Sequence, residues 1–382
     1  MDRSPSKAAA GAGAYLALTL VAAALMIFLY GKIDYGDPKL EKWDLVAYRA
    51  MALAAPGFDH DVARPFAYRI LGPYLAGLIG GHRDIGIYLV NLAFSIGLVI
   101  LAYRFMLTFG LGPPAACVVM VLYTFNKHFF GFTTWNYFHV DDVLLNIFLI
   151  ILFWSMMRRR WAIFAVALAL ATLAKEVALI MIPVALLSLV EARAFGREGW
   201  KCLWAFVPAA ACYFLLRHFI QPPEGPTLPQ AFAQNWTKVT SFDRMFHVVL
   251  NPFVPISLVP LVFIDKTISL LKGRLHMLLF YLLVLATTLF GTNNERLLNP
   301  AAVVVYPLIG FILQRSILPS KRVIAVILIG GFLSSFHWLV ARYPLPSREA
   351  VGALSGGSTL AVAVLLVVLR MTRRKERIGE PA

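Results

Sequence analysis

The chain has 382 residues, of which 60% are hydrophobic and only 14% charged, and it carries a formal net charge of +15. Soluble globular domains run near ~25% charged residues, so this composition excludes an ordinary water-soluble protein. The cations stand in short flanks between apolar runs, which excludes a nucleic-acid patch and matches the orientation signals of a membrane protein.

Apolar runs near the ~20 residues that cross a bilayer predict an all-α, polytopic helical membrane protein with about twelve transmembrane helices. Residues 1–382 read as a single transmembrane domain. The first run, Ala14–Tyr30 within a span at 13–30, follows Arg3 and Lys7 and has no small-x-small cleavage site behind it. It is therefore expected to be retained as the first span. Further spans are expected at 85–108, 111–126, 142–157, 161–174, 177–190, 202–219, 248–265, 275–290, 299–314, 322–340 and 357–370.

Basic clusters separate these runs: Arg158-Arg159-Arg160, then Arg193, Arg197 and Lys201, then Lys266, Lys272 and Arg274, then Arg315, Lys321 and Arg322. A last one starts at Arg370 and continues into a short basic cytoplasmic tail, 371–382. With both termini cytoplasmic, every cluster falls on the cytoplasmic side, as the positive-inside rule asks. The halves of 161–190 are each short for a span. A shallow hairpin with Lys175-Glu176 at its outer turn and one long tilted helix kinked at Pro183 both fit, and the later basic clusters favour the hairpin.

Two outer loops are long. Residues 31–84 form a large periplasmic loop holding most of the outside charge, and within it FAYRILGPYLAGLIG (66–80) is interrupted by Arg69 and Pro73. That segment predicts a juxtamembrane helix lying at the interface. Residues 220–247 form a second periplasmic loop, rich in proline (Pro222, Pro223, Pro226, Pro229), with Trp236 as an interfacial anchor. Cys117, Cys202 and Cys212 sit inside apolar segments without CxxC or Cys-His spacing and read as inert thiols.

Charges at the ends of membrane spans are costly, and they mark a candidate site. Loop one offers Asp34, Asp37, Glu41, Asp44, Asp59 and Asp61. Asp44 and Tyr48 are four residues apart, so a helix starting near Trp43 shows both on one face. An acid held there, partly desolvated, suits a general base for a hydroxyl; a solvated loop carboxylate is the alternative. Asp141-Asp142 opens a span, where an N-cap is the plain reading. His139 beside them adds a divalent-metal pattern that is common by chance, and no metal or other cofactor is assigned. Lys175-Glu176 either neutralises itself at a turn or lends its Lys to a phosphate. Arg296, flanked by Asn293, Asn294 and Glu295, suits a phosphate or sugar hydroxyls, or else pairs with Glu295. Arg69 lies in an apolar stretch and needs a counter-ion or a ligand phosphate. Arg217 and His218 are expected to snorkel.

These residues resemble the motifs of the GT-C superfamily of integral-membrane glycosyltransferases, which use polyprenyl-phosphate sugars. Asp44 followed by Tyr48, Ala50 and Met51 is similar to the loop-one acid motif. Asp142 opening an apolar helix resembles the second acidic position, TLAKEVALIMIP the pattern of small residue, Lys and apolar run to Pro, and ERLLNP the late motif near the donor phosphate. RPFAYRILGPYL, with Arg64 and Arg69, is like a segment after loop one. No second acid adjoins Asp44, and Glu176 stands where many members carry Gly.

The resemblance implies a GT-C-like fold in a bacterial inner membrane with its site facing the periplasm. It implies a polyprenyl-phosphate-linked sugar as donor and a glycan, lipid or protein acceptor. Catalysis would fall to Asp44 and Asp142, and donor-phosphate binding to Arg296, Lys175 and Arg69. Tyr48, Asp141, His139, Glu176 and Glu295 would support them or the acceptor. A transporter or flippase for a lipid-linked saccharide would use the same residues as a path, though with internal repeats that this chain lacks. A polysaccharide polymerase or ligase is a further alternative.

Overall fold

The computed structural model describes residues 5–34, 44–79, 83–223, 227–236, 240–291, 293–318, 320–337 and 347–379, and among these the chain is helical, with no strand. In chain order the helices are α1 Pro5–Tyr30, α2 Leu45–Ala54, α3 Leu71–Leu78, α4 Arg83–Thr108, α5 Pro113–Thr124, α6 Phe132–Trp135, α7 Val140–Met157 and α8 Trp161–Ala174. There follow α9 Met181–Glu191, α10 Phe195–Phe219, α11 Leu228–Asn235, α12 Phe242–Leu250, α13 Val259–Val262 and α14 Ile264–Leu271. The last are α15 Leu275–Thr287, α16 Asn294–Leu297, α17 Ala302–Ser316, α18 Lys321–Ser334 and α19 Arg348–Gly379. The loop-one acids Asp37 and Glu41, and Trp43, lie outside the described residues.

Among the described residues, six stretches are long and apolar enough to cross a membrane: Gly11–Tyr30, Asp84–Thr108, Val140–Met157, Phe195–Phe219, Asn294–Ser316 and Arg348–Thr372. Two bent pairs bring the number to eight: Pro113–Thr124 with Lys127–Trp135 at 49°, and Ile264–Leu271 with Leu275–Phe290 at 108°. Two of the other expected runs are not single full-length helices, for physical reasons. Residues 248–265 contain Pro252, Pro255 and Pro260, each lacking the N–H that a helix interior needs, and the run breaks into α12, a 3-10 turn and the four-residue α13. The run at 322–340 is helical only over Lys321–Ser334.

Residues 161–191 form a hairpin. α8 has 14 residues and α9 has 11. Between them Lys175 takes an extended conformation (φ −164°, ψ 126°) that ends the first helix. The indole Nε1 of Trp161, at the start of α8, donates to Glu198 Oε2 at 2.9 Å in the first turn of α10. Since α10 begins four residues after α9 ends, the chain has gone out along α8 and come back along α9.

The basic clusters share the end of the bundle to which that hairpin returns. α7 ends at Met157, directly before Arg158. Glu191 accepts from the backbone of His276 at 3.2 Å, and its carboxylate meets the ring Nδ1 at 2.5 Å. Arg274 lies over the rings of Phe109 and Phe311 at 5.5 and 5.8 Å, Arg315 is 5.8 Å from Phe311, and Arg370 pairs with Asp265 at 3.1 Å. Cys117 and Cys202 are buried and Cys212 partly so, all as free thiols.

At the other end, loop one folds down onto the bundle. The 66–80 segment is a 3-10 turn, Phe66–Tyr68, then α3, with Arg69 buried between them. α3 packs so closely on α2 that a Cβ at Gly77 would collide with the backbone oxygen of Ala52 and stand 2.8 Å from Ala55 Cβ. Backbone cannot yield as a side-chain tip can. Gly77→Ala is therefore expected to pry α2 from α3 and destabilise by about 1–3 kcal/mol, read as a lower melting temperature in detergent. An unchanged melting temperature would show that this contact opens freely.

Candidate functional site

α2 is the first element of the site. Asp44 occupies its N-cap position, and the Tyr48 N–H bonds the Asp44 carbonyl at 3.2 Å, so both side chains face the bundle one turn apart. The Tyr48 hydroxyl donates to Asp141 Oδ2 at 2.9 Å and is approached by Arg69 Nη1 at 3.4 Å. Burial first, and then the Asp141 charge, raise the Tyr48 hydroxyl well above its ordinary value, which keeps it a donor.

Asp141 and Asp142 lie in the first turn of α7, after His139 at the N-cap position, and neither side chain caps the helix. Both are almost wholly buried. Lys175 Nζ makes a very close contact with Asp142 Oδ1 and lies 3.9 Å from Asp141 Oδ2. Its sequence neighbour Glu176 takes a different partner: Arg69 donates to it through Nη2 at 3.1 Å and Nε at 3.3 Å. Burial alone would raise the Glu176 carboxyl, but this two-pronged contact outweighs it and holds the carboxyl below its ordinary range. The expected self-neutralisation of Lys175 and Glu176 is thus replaced by two separate pairs. The extended backbone at Lys175 sends successive side chains to opposite sides.

Arg296, on the short α16, closes the circuit. Its Nη1 donates to Asp44 Oδ2 at 3.3 Å and lies 2.7 Å from His139 Nε2. A guanidinium N–H only donates, so the imidazole nitrogen accepts there. Arg296 Nε is 3.7 Å from Asp142 Oδ2, and both atoms are buried without a hydrogen-bond partner. Asp141 Oδ1 is likewise unpartnered, 3.8 Å from His139 Nδ1. The expected Arg296–Glu295 pair does not form, because Glu295 faces away and accepts from Asn251 Nδ2 at 2.9 Å.

Nine of the expected residues therefore meet in one network: Asp44, Tyr48, Arg69, His139, Asp141, Asp142, Lys175, Glu176 and Arg296. Asp59 and Asp61 stay outside it in an exposed turn, where the Asp61 N–H bonds Asp59 Oδ1 at 2.9 Å. Arg64 is exposed as well. The Arg217 guanidinium lies over Tyr213 at 3.5 Å and Tyr68 at 4.3 Å. His139, Asp141 and Asp142 offer ligand atoms within 4.8 Å of one another, a set able to hold a metal ion. Lys175 and Arg296 already supply Asp142 with the positive charge that an ion would bring.

Sequence reading passed over Asn251 and also Lys127. The available signal for Lys127 was a Lys-His pair inside an aromatic run with no acid near it in sequence.

Comparison with protein families, with characterised proteins and with solved structures finds no match for this chain. The site stands on its own geometry.

Breaking a buried ion pair leaves an uncompensated charge and costs about 3–5 kcal/mol, whereas removing both partners costs far less. Lys175→Met is thus expected to lower the melting temperature strongly, and Lys175→Met with Asp142→Asn to recover most of the loss. Additive losses in the double variant would show that the two residues do not act as a pair.

Proposed function

We propose that this chain is a GT-C-like membrane glycosyltransferase that moves a sugar from a polyprenyl-phosphate donor to a hydroxyl acceptor. One observation supports it above the others. Among the four carboxylates of the network, Asp44 and Glu176 keep side-chain exposure, 29% and 30% against 1% for Asp141 and Asp142. Glu176 is taken up by the forked Arg69, while Asp44 has a single 3.3 Å bond to Arg296 at the rim of the buried, charge-rich network. An open acid beside a cation is what an acceptor hydroxyl and a phosphate leaving group need together.

In this reading Asp44 takes the proton of the acceptor hydroxyl as its oxygen attacks the anomeric carbon from the face opposite the leaving group, with inversion. The bond to the lipid phosphate oxygen breaks, and the charge growing there is met by the Arg296 guanidinium, whose Nη1 stands beside Asp44. Asp142, held by Lys175, sets the position of Arg296. Asp141 holds Tyr48, and Arg69 with Glu176 ties loop one to the hairpin turn. A groove of about 690 Å³ between α1 and α4, lined by Leu20, Ala23, Ile27, Leu92 and Ile96 and ending at Lys32, supports a lipid substrate. No metal is required by this scheme. Gathering of the polar groups at one end of the bundle favours the transferase over a translocation path, which would place them near the midplane.

The orientation we infer follows the positive-inside rule. The basic end faces the cytoplasm, the site faces the periplasm of a bacterial inner membrane, and both termini are cytoplasmic, with the shorter apolar helices completing a crossing number of about twelve.

Purified Asp44→Asn is expected to fold as the parent does and to lose sugar transfer from a polyprenyl-phosphate donor by at least ~100-fold, the lower end of what a general base contributes. Undiminished transfer would remove Asp44 as the base. A membrane-impermeant maleimide added to intact cells is expected to label Asp59→Cys and to leave Arg160→Cys unlabelled until the cells are permeabilised. The reverse pattern would turn the site to the cytoplasm.

A further inference from the structure

Beside the site lies a second buried charge that the transfer scheme does not use. Lys127 opens a single π-helical turn, Lys127–Gly131, between α5 and α6, a feature often found at functional positions. Asn126 fixes the turn. Its Oδ1 accepts from the backbone of His128 and Phe129 at 2.9 and 3.0 Å, while its Nδ2 donates to the Pro252 carbonyl at 2.7 Å.

Lys127 itself is only 6% exposed. Its Nζ donates to Ser355 Oγ at 2.6 Å in α19, and among the described residues it enters no ion pair. Glu295 acts on it only through space, since its Oε1 serves Asn251. Among the described residues no other carboxylate acts on Lys127. His128 follows with a buried Nε2 that has no partner, and the Lys127 charge also reaches His337, whose ring lies 6.3 Å from that of Trp135.

The contrast with the neighbouring network is sharp. Arg69, Lys175 and Arg296 are each already bound to a carboxylate. Lys127 is a buried cation answered by a hydroxyl. A buried charge without a counter-ion costs several kcal/mol in a low-dielectric setting, and an incoming anion removes that cost. Lys127 is also close to the site: the turn it opens runs directly into α6, whose Phe132 ring lies 5.9 Å from the Arg296 guanidinium.

We propose that Lys127, with His128 and Ser355, forms an anion pocket that holds a phosphoryl oxygen of the lipid-linked substrate, next to the Asp44–Arg296 network and not within it. The presence of an oxyanion site rests on the uncompensated lysine; its assignment to a lipid phosphate rests on the glycosyltransferase reading. Three donors of different kinds, an ammonium, an imidazole N–H and a hydroxyl, suit the several oxygens of a phosphate ester.

The test is equilibrium binding of dodecyl phosphate to the full chain in nanodiscs of zwitterionic lipid, with inorganic phosphate as a second titrant. Saturable binding of dodecyl phosphate is expected. Lys127→Met should weaken it at least tenfold, His128→Phe severalfold, and Lys127→Arg little. Asp59→Asn, in an exposed turn outside the network, should bind as the parent does, and because the assay reads binding without sugar transfer, a failure of the transfer reading leaves this result standing. Competition by inorganic phosphate at low millimolar concentration would assign the pocket to free phosphate; its absence assigns the pocket to the lipid ester. Because an unanswered buried charge is being removed, Lys127→Met should melt at or above the parent temperature without ligand. No saturable binding, or parent-like binding by both Lys127→Met and His128→Phe, would overturn the pocket. A sharp loss of stability in Lys127→Met with parent-like binding by His128→Phe would instead make Lys127 a structural cation.

Discussion

Charge that has left water must be answered by charge, and at one end of this bundle that requirement ties the fold together. Asp141 and Asp142 begin α7 where water does not reach. They are tolerable only because Lys175 from the hairpin, Arg296 from α16 and Arg69 from loop one converge on them, with Tyr48 as a neutral donor. Each partner comes from a separate stretch of sequence. The network therefore acts as a clasp across loop one, α7, the hairpin turn and the late α16, where apolar side chains meeting lipid-like surroundings have little power to choose one another. The same cancellation sorts the acids: the interior carboxylates are held by several cations, and Asp44 at the rim has one bond to Arg296.

How much of this the sequence discloses depends on the range of the interaction. The i, i+4 spacing places Asp44 and Tyr48 on one face, and both do point into the bundle. Hydropathy with the basic clusters is enough to favour a hairpin over a single helix at 161–190, and the Trp161–Glu198 bond agrees. What hydropathy cannot read is the backbone between prolines, so the run at 248–265 reads as one continuous helix although Pro252, Pro255 and Pro260 break it. Nor does adjacency predict pairing. Lys175 and Glu176 look like a self-neutralising pair, as do Glu295 and Arg296, yet in each case the backbone turns the two side chains toward different elements. Lys127 escapes notice for the opposite reason: the aromatic run around it holds no acid, but whether a distant carboxylate comes to pair with it is settled only in three dimensions.

The bundle is also polarised along its length. At the basic end, arginines rest on aromatic faces or pair near the surface, as Arg274 does with Phe109 and Phe311 and Arg370 with Asp265. Such contacts are individually weak and salt-sensitive. They suit residues whose task is to stay in contact with water and headgroups. At the opposite end the cations are held by short bonds in a buried setting. One residue type thus serves two purposes, set by how much water each end admits.

The long separation of the network's partners has a consequence for biosynthesis. Asp44 and Arg296 are 252 positions apart. At about 5–20 residues per second, Arg296 emerges from the ribosome roughly ten to fifty seconds after Asp44. Asp142 and Lys175, only 33 positions apart, can enter the bilayer already neutralised by each other. Asp44, by contrast, must wait at the water boundary, where its partial exposure makes the delay tolerable. The chain can thus carry its most costly charges into place as a closed pair and close the Asp44–Arg296 contact last.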